Sequence, residues 1–221
     1  MTYREASAER DRPPSRRPRR AAWESRGQLL RAAIKEFVTH GYAGARISRI
    51  VKKAGSNPRM IYHYFGSKSQ LYVAVLEEML GGLRKRELEI DVEHLDPMEG
   101  LLRLFDFMAE HFERNQHLVR LLSAESLCKA KYMRMSSRIP KMSSPVLAMI
   151  ERLIERGSRN GQLAKDLDGL RLYVLMVALS QFHLSNVHTL STIFGRDLSA
   201  PMWRRERMKD ARRMLSEFLA V

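Results

Sequence analysis

Cysteine is almost absent from this chain, since Cys128 is the only one among 221 residues. A single thiol excludes a disulfide framework and a cysteine-based zinc site, and this scarcity fits a reducing cytosol. We therefore predict a cytoplasmic protein. The usual role of a lone cysteine is that of a small buried hydrophobic residue, and a reactive thiol at Cys128 is the alternative.

A long apolar run is missing from the first 22 residues, which contain seven arginines and three prolines. This composition excludes a secretory signal or a membrane span within the segment. We predict a disordered basic arm over residues 1–22. Its simplest role is that of a solvated tail that aids solubility.

Catalytic and metal-binding motifs are missing as well. The seven histidines include no pair at metal-ligand spacing with a third ligand, and His183 and His188 point to different faces of a helix. The chain has no Walker loop, no dinucleotide-binding glycine loop, and no nucleophile with a base and an orienting residue. We predict that the protein is not an enzyme and holds neither a metal nor another cofactor.

Strand-like alternation of apolar and polar residues is not found either. Apolar residues recur every three or four positions, which is typical of amphipathic helices, so we predict an all-α fold. The first helix is expected from about Trp23 to His40, with Gly41 ending it.

The later helices are predicted from capping residues and breakers at their ends. We expect Gly81 and Gly82 to kink or loosen the helix that contains them, and a segment from His183 to Pro201 to separate the last two helices. In chain order, the expected helices are Ser67 onward, Asp96 and Pro97 onward, about 115–131, about 144–159, Asp166 or Asp168 through Phe182, and Pro201 onward.

Positive charge predominates, with a formal net charge of +14 and a pI near 10.3. Such an excess indicates a polyanionic partner, either nucleic acid or an acidic membrane surface. Seven arginines lie in the proline-broken arm and three more lie within residues 41–71, so we do not interpret the excess as one amphipathic helix with a wide apolar face. This pattern favours nucleic acid over a membrane surface.

The segment from Gly41 to Leu71 has the pattern of a DNA-reading helix-turn-helix. Its apolar residues recur at helical spacing as far as Ala54, and Gly55 can adopt the positive φ required where the chain turns. Asn57 can cap the next helix, and Pro58, the residue after it, fits the first turn of that helix. We therefore predict two short helices joined by a tight turn.

This segment resembles the DNA-binding domain of the TetR/AcrR (tetracycline-repressor) family of bacterial transcription regulators. The likeness covers roughly residues 23 to 75, and it rests on several elements in the order and spacing of the family. The matching residues are Gly41-Tyr42, Ile50, Ala54-Gly55, Ile61-Tyr62, Phe65 and Lys68-Ser69-Gln70-Leu71. Arg59 stands where the family often has a small residue, so an operator preference cannot be copied from relatives.

The resemblance implies a three-helix helix-turn-helix domain over residues 23–75 and a larger helical effector-binding and dimerisation domain over residues 76–221. It also implies which residues contact double-stranded DNA. The residues at positions that resemble contacts to the DNA backbone in relatives are Arg46, Tyr62, Tyr64 and Lys68. Those that face the major groove are Ser48, Asn57, Arg59 and Met60, and His63 belongs to the same surface. In related regulators the arm can also follow phosphates or enter the minor groove, which is a second interpretation of residues 1–22.

For the second domain, the resemblance implies a homodimer formed by the last two helices, around 172–182 and 208–219, and a small-molecule effector. The candidate pocket-lining residues are Phe105, Met108, Phe112, Leu122, Met149, Met176 and Phe182, with Arg120, His183 and Asn186 as candidates to orient a polar group. Ordinary core packing is the alternative for the apolar members. The function expected is a ligand-responsive repressor, and the alternative is a helix-turn-helix regulator without an effector.

Overall fold

The computed structural model describes residues 17–92 and 94–220, and it describes side chains from Glu24 onward, apart from Ser144. Within these residues every regular element is helical, and a short 3₁₀ turn follows the sixth α-helix. The helices are α1 Arg17–Gly44, α2 Ile47–Lys53, α3 Pro58–Phe65, α4 Lys68–Leu88, α5 Pro97–Arg114, α6 Gln116–Leu127, α7 Ile139–Arg159, α8 Gly169–Phe194 and α9 Pro201–Leu219. The predicted all-α fold is confirmed.

The chain divides into two compact units, one extending to Leu71 and the other beginning at Tyr72. In the first unit, α1 begins at Arg17, so the prediction of a disordered arm was wrong for residues 17–22. Arginine and alanine favour helices, and Pro18 lies in the first turn, where a proline is tolerated. Residues 1–16 of the predicted arm lie outside the described residues.

Gly41 interrupts α1, as its sequence position predicted. Its φ of 62° and ψ of −179° are not helical, so residues before and after it form two helical pieces. In contrast, Gly81 and Gly82 do not interrupt α4, which continues to Leu88. Leu80 and Leu83 are buried on either side of the pair, and this packing holds the helix together despite the weak helix propensity of glycine.

Two connections differ from their predictions. α6 ends at Leu127 rather than near residue 131, because Lys129 and Ala130 adopt positive φ angles of 52° and 55°. α7 begins at Ile139 rather than near residue 144, because the Ser136 hydroxyl accepts hydrogen bonds from the backbone N–H groups of residues 138 and 139, both at 3.1 Å. That hydroxyl satisfies the free donors at the start of the helix.

The turn after α6 also changes the expectation for Cys128. Its side chain is exposed rather than buried, because the residue follows the end of the helix and does not lie on its core-facing side. The usual buried role of a lone cysteine was therefore the wrong expectation for this position.

The helix α8 is longer than predicted. The Asp168 carboxylate caps it by accepting a 2.7 Å hydrogen bond from the N–H of Arg171, and the helix continues to Phe194. The segment expected to separate the last two helices is thus largely helical, because it contains no breaker before Gly195, which adopts a φ of 58° and ends the helix.

The second unit is built around one apolar core. Most of its buried members come from α4, α5, α6, α7, α8 and α9, and Leu101, Leu104, Phe105 and Leu215 are fully enclosed. The Asp96 carboxylate begins this arrangement by capping α5, accepting from the N–H of Met98 at 3.0 Å. No helix among the described residues is both long and apolar enough to cross a membrane.

Candidate nucleic-acid interface

The turn between α2 and α3 fixes where the second of these helices begins. Gly55 adopts a φ of 60°, and the N–H of Ser56 donates to the carbonyl of Val51 at 2.9 Å. The Asn57 side chain then accepts a 3.3 Å hydrogen bond from the N–H of Met60, with Pro58 in the first turn. The predicted turn and cap are confirmed, and together they give α3 a defined start.

The helix α3 has one buried side and one exposed side. Ile61 is fully buried and Phe65 nearly so, and the guanidinium of Arg26 lies 5.0 Å from the centre of the Phe65 ring. On the exposed side, Tyr62 leaves 56% of its surface accessible to solvent. Packing by the buried pair therefore holds the polar side of α3 outward, where a duplex can reach it.

All nine predicted DNA-contacting residues lie at least partly on the surface of the first unit. Arg46 and Ser48 are exposed at the start of α2. The exposed residues at and within α3 are Asn57, Arg59, Tyr62 and His63, while Met60, Tyr64 and Lys68 are half-buried. Their accessibility is compatible with the roles inferred from the resemblance, and those roles stay predictions.

A buried carboxylate that the sequence reasoning missed joins α1 to α2. Glu36 is 7% exposed, and it accepts hydrogen bonds from the Nε of Arg49 at 2.6 Å and from the backbone N–H of Arg46 at 3.0 Å. Arg49 also donates to the carbonyl of Gly44 at 2.6 Å. This ion pair fixes the first turn of α2, which carries Arg46 and Ser48, against α1.

The bonds to Glu36 also determine its protonation. Burial acts to raise the pKa of the Glu36 carboxyl, but the hydrogen bonds from Arg49 and Arg46 outweigh burial and leave that pKa below its ordinary value of 4.5. The carboxylate therefore stays ionised and paired at neutral pH. It also cancels the charge of Arg49 without cancelling that of the outward-facing cations.

This lowered pKa makes a prediction for acid stability. A carboxyl whose pKa is lowered by folding stabilises the protein above its unfolded pKa, and the contribution is lost as the pH falls through the folded pKa. The melting temperature of Glu36→Gln should lie below that of the wild type at neutral pH, and the two should converge as the pH falls below about 5 and through the lowered folded pKa. Melting curves followed by circular dichroism measure this, and a difference independent of pH would contradict it.

Lys68 is held by an aromatic ring that the sequence reasoning had used only as a family marker. Its ammonium lies 4.7 Å from the centre of the Tyr42 ring, and that ring is stacked parallel to Phe37 at 6.2 Å. A cation over an aromatic face at a partly exposed site is stabilised by about 0.5–1 kcal/mol. Tyr42 therefore restricts where the ammonium of Lys68 can lie at the start of α4.

The first unit is electropositive because acidic residues are scarce there. Between positions 24 and 71 the sequence contains only Glu24 and Glu36 as acids, and the second of these is occupied by Arg49. Exposed basic residues lie along α2 and α3, including Arg46, Lys52 and Arg59. Such a surface suits the phosphate backbone of a duplex.

Comparison with known proteins agrees with this geometry. Residues 29–75 match the model of bacterial regulatory proteins of the tetR family, and residues 97–215 match the tetracyclin repressor-like C-terminal domain. The chain belongs to the TetR family. It is a DNA-binding transcription regulator, as the helix-turn-helix and its electropositive surface indicated.

Two curated TetR relatives are repressors by name. The chain is 33% identical to the HTH-type transcriptional repressor NicS of Pseudomonas putida over 175 residues, which cover 79% of this chain and 82% of NicS. It is 38% identical to the repressor SCO4008 of Streptomyces coelicolor over 104 residues, covering 47% of this chain and 50% of that protein. A TetR family regulator from Marinobacter aquaeolei shares the fold, with a TM-score of 0.65 at 19% identity over 91% of this chain and 98% of that one.

In the second unit of this TetR protein, most predicted effector contacts lie in the core. Phe105, Met108, Phe112, Met149 and Met176 are buried members of the apolar core. Leu122 and Asn186 are half-buried, whereas Phe182 and Arg120 are exposed. His183 is buried and lines a cavity of about 520 Å³, while Met149 lines a different one of about 290 Å³. The structure thus does not gather the ten residues around one cavity among those described.

Proposed function

We propose that this regulator is a homodimeric, ligand-responsive repressor that binds a partly palindromic operator in the cytoplasm. The names of NicS and SCO4008 support repression, and the two-unit architecture supports separate reading and sensing parts. No catalytic step is part of the proposal, because regulation here requires only binding equilibria.

The proposal of a dimer rests on the distribution of exposed apolar side chains. Twelve large ones are exposed among the described residues, and four of them, Tyr62, Leu88, Leu127 and Met135, lie outside the last two helices. The other eight all lie on α8 or α9: Leu170, Val174, Phe182, Ile193, Phe194, Met202, Met214 and Phe218. A concentration of this kind is typical of an interface between subunits.

A dimer through α8 and α9 would determine how the protein meets DNA. A two-fold axis repeats the reading helix α3, and two copies separated by about 34–36 Å face successive major grooves on one side of the duplex. The operator would then consist of two inverted half-sites about one helical turn apart. Footprinting of the intergenic region beside the gene tests this arrangement.

The contacts of the first unit predict that two kinds of substitution affect DNA binding differently. Lys68→Gln removes a cation without altering a cap, so the affinity should fall equally for the operator and for its single-base variants. Asn57→Ser keeps an oxygen that can cap α3 but removes an amide that can pair with adenine, so base preference should change by about 1–3 kcal/mol at one position. Fluorescence anisotropy over a library of operator variants measures both effects.

The matched control is Lys85→Gln, which removes an exposed lysine from the later part of α4. It should leave both affinity and base preference unchanged. If Lys68→Gln altered base preference while Asn57→Ser only weakened binding uniformly, the assignment of positioning and reading roles would be reversed.

The ligand-responsive part of the proposal predicts reciprocal coupling. An effector that weakens operator binding must itself be bound more weakly by the operator complex, and by the same factor, typically about 5- to 150-fold. Calorimetric titration with and without operator should return equal factors. A regulator without an effector is the alternative, and it predicts that a broad metabolite screen finds no compound that changes operator affinity.

A further inference from the structure

The cavity of about 520 Å³ in the second unit is a cleft between α5, α8 and α9. Its walls are rich in cationic side chains, most of them from one side of α9. Its lining residues include His183, Arg204, Arg205, Met208, Lys209 and Arg212.

Three of the four cations in the cleft already have acidic partners. Arg204 pairs with Glu113 at 2.6 Å, Arg212 pairs with Asp106 at 3.1 Å, and Lys209 pairs with Glu206 at 2.9 Å. Arg205 is exposed and makes no ion pair with any side chain that the structure describes. Of the four cations, Arg205 is therefore the one whose charge these ion pairs do not neutralise.

Two of the residues that line the cleft also have buried polar atoms whose hydrogen-bonding capacity is unused. His183 is only 6% exposed, and its Nδ1 has no hydrogen-bond partner among the described residues, nor has the Nε of Arg204. Such atoms are uncommon, because an unsatisfied buried polar group destabilises the folded state. Burial, followed by the charges of Arg207 and Arg204, lowers the pKa of His183 to about 4, so the ring is neutral at neutral pH.

The remaining walls are apolar, since Ala109, Pro201 and Met208 contribute carbon surface to the same cleft. The cleft faces away from two of the three large exposed apolar residues of α9. Arg205, Lys209 and Arg212 follow one side of that helix, on which Met202 also lies, whereas Met214 and Phe218 follow another. A subunit that covers the second side would leave the first accessible.

We propose that this cleft binds a small organic carboxylate, with the anion on Arg205 and the His183 ring and the carbon skeleton against Met208 and Ala109. The inference deepens the proposed function, on which its regulatory meaning rests, by giving the effector a chemical class and a site. Neutral His183 can donate one N–H to a carboxylate oxygen, and Arg205 supplies the opposite charge.

The test uses the full-length protein, with benzoate as the probe, benzamide as its uncharged counterpart and inorganic phosphate as an anion without a carbon skeleton. We expect saturable benzoate binding with a Kd on the order of 1 mM in a ligand-observed NMR titration, as suits so small a molecule. Benzamide and phosphate should each bind at least about tenfold more weakly. Equal binding of benzoate and benzamide, or of benzoate and phosphate, would overturn the proposal.

Two variants locate the site. Arg205→Gln should weaken benzoate binding about tenfold, while Arg134→Gln, which removes another exposed arginine outside the cleft, should not change it. His183→Phe should weaken benzoate binding and raise the melting temperature of the ligand-free protein, because it removes a buried nitrogen without a partner. A structural histidine would instead lower that temperature without changing benzoate affinity.

Absence of saturable benzoate binding up to about 10 mM in the wild type, an excess over the expected Kd, would overturn the site. Operator affinity is measured separately in the same samples. If Arg205→Gln weakens benzoate binding, the cleft is supported as the binding site. If benzoate also leaves operator affinity unchanged, the cleft has no role in the switch. The binding site and the ligand response can therefore fail independently.

Discussion

Val174→Asp is expected to give a monomer that binds the operator at least about a hundredfold more weakly than the wild type. Val174 is 57% exposed in the single chain and lies within the apolar surface of α8 and α9. In a two-fold interface each subunit contributes the same residue, so one substitution buries two unpaired carboxylates. Unpaired charge in an interface destabilises it by about 3 kcal/mol or more, which corresponds to this loss of affinity.

Light scattering and operator titration measure the two parts of this prediction. The wild type should scatter as about twice the chain mass of 25.7 kDa, whereas Val174→Asp should scatter as one chain at micromolar concentration. Leu127→Asp is the matched control, because it places the same charge on an even more exposed apolar residue, which lies at the end of α6. A control that dissociated as readily as Val174→Asp would place the interface elsewhere.

Glu36→Ala should destabilise the DNA-binding unit by about 3 kcal/mol, because it leaves Arg49 and the N–H of Arg46 without their acceptor. Operator affinity should fall with it. Arg46 and Ser48 lie in the turn that this carboxylate holds against α1, so their positions should become less well defined.

A double-mutant cycle with Arg49→Ala separates the ion pair from other effects. If the two residues act through each other, the double variant should be little less stable than Glu36→Ala alone, with a coupling energy of about 0.5–3 kcal/mol. Urea denaturation gives the free energies of unfolding. Strictly additive effects would show that Glu36 stabilises α2 through the backbone of Arg46 rather than through the Arg49 side chain.

Local chemistry made the reading helix predictable from the sequence. Gly55, Asn57 and Pro58 each act on their own backbone or on residues within three positions, so their effects do not depend on the rest of the fold. Asp96 predicted a helix start for the same reason and caps α5, and of the two alternatives Asp166 and Asp168 the second caps α8. Such signals remain valid whatever the tertiary structure is.

The features that sequence reasoning missed depend on distant or cooperative contacts. Glu36 and Arg49 are 13 positions apart and meet only because the break at Gly41 turns the chain. The end of α6 follows from two non-glycine residues with positive φ, Lys129 and Ala130, which no propensity indicates. The extension of α8 to Phe194 was missed because the apolar residues of this segment have helical spacing, while its polar residues are equally common in loops.

The candidate effector residues show a different limit. A periodic stripe of Phe and Met has the same pattern whether the residues pack a core or line a pocket, and here Phe105, Met108 and Phe112 pack the core. His183 differed because a buried imidazole must find a partner, and its Nδ1 has none among the described residues. Polar atoms therefore identify a candidate site in this unit better than apolar ones.

The exposure of Cys128 has a practical consequence. Because it is the only thiol in the sequence and lies in the solvent-facing turn after α6, a maleimide dye will attach at one position per chain. That position belongs to the second unit, whereas the residues proposed to contact DNA belong to the first. The unmodified sequence thus already carries a single fluorescent attachment point for following oligomerisation and effector titrations in solution.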